Sequence, residues 1–143
     1  MARLDVSAQI DIPREPTDIA SIMFDPAREP EWVGAVRTVE VVDAAIAPGA
    51  RVRRTGTVLG REVTWTTAVA AFHFPHLLEL TVQDGPFVGV VRYEVGRIAG
   101  GSLARITCTG DVPAAGALPA SLVAAPMRSA LEADLARLKA LLA

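Results

Sequence analysis

Four arginines, Arg51, Arg53, Arg54 and Arg61, fall within the stretch "GARVRRTGTVLGREVTWTTAV", residues 49–69. Guanidinium groups at this density bind phosphates, pair with carboxylates across a sheet, or hold one planar anion inside a protein. Side-chain alternation separates these uses. In a strand over 50–58, Val52, Arg54, Gly56 and Val58 share one face, and Arg51, Arg53, Thr55 and Thr57 share the other. With the apolar face inward, Arg51 and Arg53 point to water and take cross-strand partners, and Arg61, after the "LG" turn, is exposed. Arg54 then points inward, where an unpaired guanidinium costs several kcal/mol, on the order of the buried-ion penalty. Its partner is either structural, a carboxylate or backbone carbonyls, or a ligand's carboxylate, enolate or carbonyl. A bulge in this strand would invert the assignment.

The same alternation selects other candidates. Trp65 shares a face with Val63, Thr67, Val69 and Ala71, and Tyr93 alternates with Val91 and Val95 away from Arg92 and Glu94. Both are expected in the interior, Trp65 chiefly as packing and Tyr93 as a phenol that needs a partner, in the protein or on a ligand. Trp32 is positioned to close one end of an interior space, and Phe87, Met127 and Leu131 are the apolar candidates for its walls. His73 and His76 flank Pro75 in "HFPH" without nearby cysteine or acidic ligands, so polar turn residues are expected there rather than a metal site. Cys108 is the lone cysteine, which rules out an intrachain disulfide or a multi-thiolate centre and reads as a small buried hydrophobe. The chain has no G-x-S-x-G, H-E-x-x-H, Walker or dinucleotide motif. No metal or cofactor is expected.

Composition narrows the field further. The net charge of −2, with a pI of about 5.6, excludes the basic field that attracts nucleic acid, so the arginines need a local explanation. Of the 143 residues 51% are hydrophobic and 21% charged, and mean hydropathy is +0.35, which calls for a large core or an apolar cavity in one domain, residues 1–143. Asp5 and Asp11 interrupt the opening "MARLDVSAQIDIP" where a signal peptide needs an unbroken apolar run, and no stretch approaches a membrane span. A cytoplasmic protein is expected.

The elements that must position these residues follow from period and punctuation. "RLDVSAQIDI" alternates as a strand; "PTDIASIMFD" has helical spacing; Asp25 before Pro26 caps a second short helix through "PAREPEW". Six strand-like runs follow between 36 and 112, broken by "APG", "LGR", "FP", "DGP" and "AGG", as in an antiparallel meander. Met127, Leu131, Leu135, Leu138 and Leu142 then mark an amphipathic helix that Pro119 can start and Pro126 would kink or restart. The fold class is α+β, a curved antiparallel sheet with the long helix over its concave face.

This order, with "REPEW", "APGARVR", "FHFPHLLEL" and "GGSLARIT" at their places, resembles the polyketide cyclase/dehydratase branch of the START-like (SRPBCC) superfamily over nearly the whole chain. The resemblance implies a helix-grip fold, a seven-stranded sheet around the C-terminal helix with a cavity between them. Members hold lipids, sterols, hormones or polyketide intermediates there, and some catalyse cyclisation or dehydration. The expected function is therefore binding of a small hydrophobic ligand, with Arg54 and Tyr93 orienting it. Two alternatives stay open. In a cyclase/aromatase or dehydratase, Arg54 holds an enolate or carbonyl, Tyr93 donates to it and a histidine shuttles protons. In a dimeric interaction module the cavity is collapsed and the alanine-rich run "PAAGALPASLVAAP" serves as a contact surface rather than a gate.

Overall fold

Leu4, Val6, Ala8 and Ile12 turn one face of β1 (Ala2–Ile12) into the core, while Asp5, Ser7, Gln9 and Asp11 face water. The computed structural model describes residues 2–43, 45–58, 60–85, 87–112 and 120–143. After β1 come α1 (Pro16–Met23), a 3-10 turn (Pro26–Arg28) and the single-turn α2 (Glu29–Trp32). The meander is β2 (Val36–Val41), β3 (Arg51–Val58), β4 (Arg61–His73), β5 (Leu77–Val82), β6 (Val88–Ile98) and β7 (Gly101–Val112), and α3 (Ala120–Leu141) ends the chain. All seven strands form one antiparallel sheet in the order β1-β7-β6-β5-β4-β3-β2, so β1 closes onto the last strand of the meander.

The short helical region differs in detail from its sequence pattern. Asp25 does cap it, its Oδ1 accepting from the Ala27 amide at 3.0 Å, but the turn it opens is 3-10 and becomes α-helical only at Glu29. Pro30, at the start of α2, lacks the N–H that would link the two segments into one ladder. Pro126 neither ends nor restarts α3, which runs through it. Pro126 is exposed, where water can take a carbonyl left without a donor. The expected start at Pro119, and residues 113–119 of the alanine-rich run, lie outside the described residues.

The sheet's inner face carries the core. Leu78, Leu80 and Val82 of β5, Val95 of β6 and Ala104, Ile106 and Cys108 of β7 are buried. Leu135, Leu138 and Leu142 of the C-terminal segment close on them, each contributing about 1.5–3 kcal/mol from apolar burial. The α3 backbone runs closest to β1 and also contacts α2 and β7. Three hydrogen bonds fix its second half. The Gly34 amide donates to Asp134 Oδ1 at 3.0 Å, Arg137 Nε to the Trp32 carbonyl at 2.9 Å, and Arg14 Nη1 to the Leu142 carbonyl at 2.6 Å. Met127 and Leu131, near the middle of α3, are half-buried against the core.

Candidate functional site

The alternation read for β3 holds without interruption: Val52, Arg54 and Gly56 are buried while Arg51 and Arg53 are exposed. The two outward arginines meet Asp43 and Glu40, each at 3.4 Å, and Arg61 is exposed. Arg54 is the inward one, 4% exposed. Its Nε and Nη2 donate to Oε1 and Oε2 of Glu29 at 2.7 and 2.8 Å, and its Nη1 donates to Thr67 Oγ1 at 2.6 Å. The partner is thus structural. A bidentate carboxylate from α2 holds the edge of the guanidinium that an anionic ligand would have used.

Local sequence explains how α2 delivers that carboxylate. The Asp25 cap and Pro26 set the entry of the chain, and Glu29 and Trp32, three apart, fall on one face of the turn that follows. Both are buried, and Trp32 is 0% exposed. Glu31, between them, stays outside and pairs with Arg28 at 2.6 Å. Thr67 and Trp65 reach the same interior from β4. Trp65 is the cross-strand neighbour of Arg54, and Thr67 of Val52.

Tyr93 reaches this cluster from β6. Its ring lies 5.8 Å from that of Trp32 at 61°, edge to face, and 6.4 Å from Phe24 at 25°. Burial, reinforced by the Glu29 charge and only partly offset by Arg54, raises the phenol far above its ordinary pKa, so it remains a proton donor. Arg54 is shifted up as well: burial works against its charge, but the Glu29 charge and hydrogen bonds outweigh it. Asp134 enters from α3, raised by desolvation against the opposing pull of the Gly34 amide and Arg137, to which it is also hydrogen-bonded. The Trp32 indole Nε1 is buried and has no hydrogen-bond partner among the described residues. A buried donor left unpaired costs about 1–3 kcal/mol, so supplying an acceptor to this N–H is favourable.

The structure therefore brings Arg54, Tyr93 and Trp32 together. Trp65 and Phe87 are buried in the same core. The β5–β6 turn packs closely on Trp65, since a Cβ at Gly85 would lie 3.1 Å from the Trp65 Cβ, which suits packing. His76 sits in the turn after β4, its Nδ1 2.9 Å from the Val95 carbonyl, and His73 is exposed. Cys108 is buried, as its alternation predicts. Sequence reasoning named none of three polar members as site residues: Glu29, hidden in a charged run, Thr67, which alternation had already put on the inward face of β4, and Asp134. Helical spacing held a signal for two of them. Glu29 is i,i+3 to Trp32, and Asp134 is i,i+4 to Leu138 on the inward stripe of α3.

The family described as polyketide cyclase / dehydrase and lipid transport matches residues 3–143. Among solved structures, a START superfamily protein from Mycobacterium smegmatis superposes with a TM-score of 0.82 at 17% identity, covering 95% of this chain and 94% of that one. TTHA0849 from Thermus thermophilus gives 0.79 at 20% identity, with 95% and 94% covered. Ms6760 from Mycobacterium smegmatis gives 0.72 at 23% identity, with 97% and 90% covered. No curated protein matches the chain. These likenesses establish the fold, and the match over residues 3–143 places this chain in the polyketide cyclase / dehydrase and lipid transport family.

Proposed function

We propose that the protein binds one small, mostly apolar molecule in the interior between the sheet and α3, as a carrier or sensor rather than as an enzyme. The observation that carries this reading is the unpartnered indole N–H of Trp32, buried against Tyr93 in a protein whose other fully enclosed side-chain nitrogen and oxygen atoms, among the described residues, find partners. An acceptor on a ligand would complete it. The apolar remainder would lie against Trp65, Phe87, Met127 and Leu131, the last two of which are half-buried on α3. The cyclase or dehydratase alternative asks Arg54 to hold an enolate, and Glu29 already occupies its bidentate edge. A dimeric module is a separate proposal. No helix among the described residues is long and apolar enough to cross a membrane, and a cytoplasmic location belongs to the same proposal.

Native mass spectrometry of protein purified from its own host tests this. A recurring apolar adduct at one per chain, released and identified after extraction, is the expected result. A clean apo mass, together with no change in tryptophan fluorescence on titration with long-chain ketones or amides, would overturn it. Product formation from such a compound would restore the enzyme reading.

A further inference from the structure

We infer that the interior selects a neutral ligand whose polar end is a hydrogen-bond acceptor, such as a ketone or amide carbonyl, and rejects the carboxylate of the same shape. This rests on the ligand-binding reading above and specifies the ligand class that the site takes.

Charge accounting around Tyr93 and Trp32 carries the inference. Among the described residues Arg54 is the one fully buried cation, and Glu29 neutralises it through two hydrogen bonds at 2.7 and 2.8 Å. The other buried charge is Asp134, held by the Gly34 amide and the half-exposed Arg137. An incoming carboxylate would find no free buried cation among the described residues and would join two existing carboxylates, a like-charge arrangement that low-dielectric surroundings penalise. The free hydrogen-bonding capacity is of the opposite kind. The Trp32 N–H lacks an acceptor among the described residues, and beside its ring burial and the Glu29 charge keep the Tyr93 hydroxyl protonated. A neutral N–H donor without an acceptor matches a carbonyl oxygen. An ammonium ligand would bring only more donors and leave the indole N–H unsatisfied.

A matched set of probes separates the charge states. Decanamide, methyl nonyl ketone, decanoate and decylammonium are titrated into the protein at neutral pH and below micelle formation, followed by tryptophan fluorescence and calorimetry. The amide and ketone are expected to bind at least about tenfold more tightly than decanoate, a difference of about 1.4 kcal/mol. Decanoate or decylammonium binding as tightly as the amide overturns the neutral-ligand inference while leaving the binding reading intact. Absence of binding by all four, with no adduct in the host-purified protein, overturns both.

Two variants sharpen the result. Glu29→Gln removes the neutralising charge and one of the two acceptors on the guanidinium edge and is expected to raise decanoate affinity relative to decanamide, whereas a purely structural Glu29 would weaken both together and count against the inference. Trp32→Phe keeps a ring in place and removes the N–H, so it serves if the first variant does not fold. It is expected to weaken the ketone by about three- to tenfold, in line with one lost hydrogen bond. Unchanged ketone affinity in Trp32→Phe overturns the assignment of the indole as the donor.

Discussion

Arg54 on β3 and Glu29 on α2 meet through two hydrogen bonds of 2.7 and 2.8 Å, with both side chains at or below 5% exposure. The pair spans 25 residues of sequence and ties the short helical region to the sheet. Removing one partner strands a charge, whereas removing both does not. Arg54→Met alone is expected to cost about 3–5 kcal/mol, and the double variant Glu29→Leu with Arg54→Met to recover most of that loss. Urea unfolding of the four proteins in the cycle checks this. A single variant that loses under about 1 kcal/mol would show that water reaches the pair.

Gly56 lets β2 enter the sheet. An added Cβ would stand 1.6 Å from the Ala35 carbonyl oxygen and 2.7 Å from its carbon, just where the β2–β3 register shifts between Val36 and Thr38. Neither group is the end of a flexible side chain, so Gly56→Ala is expected to destabilise by about 1–3 kcal/mol or more. Gly96→Ala is the control. Nothing lies within 4 Å of its Cβ position, and its midpoint in thermal unfolding should stay near that of the parent.

Asp134 makes stability depend on pH with a sign opposite to that of an ordinary salt-bridged carboxylate. Desolvation, the largest influence on this carboxyl, raises it above its unfolded value, so the folded state holds the proton more tightly than the unfolded chain does. Its contribution to stability is therefore greatest below the ordinary aspartate pKa of about 3.9 and diminishes as pH rises through the raised folded value. Asp134→Asn keeps an oxygen for the Gly34 amide and loses the titration. The melting temperature of the parent relative to Asp134→Asn should fall between about pH 4 and pH 7. A rise over that interval would mean that Arg137 and Gly34 outweigh desolvation.

Cys108 is buried between Val6 of β1 and Val91 of β6, and burial, with a smaller contribution from Asp134, pushes its thiol up to about 12. Native protein at mildly alkaline pH is expected to react with iodoacetamide about a thousandfold more slowly than the urea-unfolded chain, because the thiolate is scarce as well as enclosed. Mass spectrometry of timed samples reads the modification. Comparable rates would place the sulfur at an opening.

Trp32→Phe probes the free protein as well. Loss of an unsatisfied buried donor offsets the smaller ring's lost packing, so stability without ligand should change by less than about 1 kcal/mol. Urea unfolding checks this. A loss above about 2 kcal/mol would show that the indole fills space that nothing else can take.

Much of the architecture was legible because it depends on local rules. Strict alternation in β1, β3 and β7 assigns their buried faces, and turn residues separate the strands. The inward position of Arg54 followed from period alone, since its strand carries no bulge within 51–58. The cluster around it was less legible. Glu29 lies in a charged run that suggests a solvated helix, and only the docking of α2 on the sheet distinguishes it from Glu31.

Sequence by itself determined the strand faces, the inward arginine, the buried cysteine and the amphipathic helix, because each follows from a repeat of two residues or of three to four. Tertiary structure alone decided that Glu29 rather than a ligand neutralises Arg54, that Trp32 meets Tyr93, and that Asp134 is buried against Gly34. Those pairings join positions 25, 61 and 100 residues apart, and no local propensity constrains partners brought together only when sheet and helices close over one core.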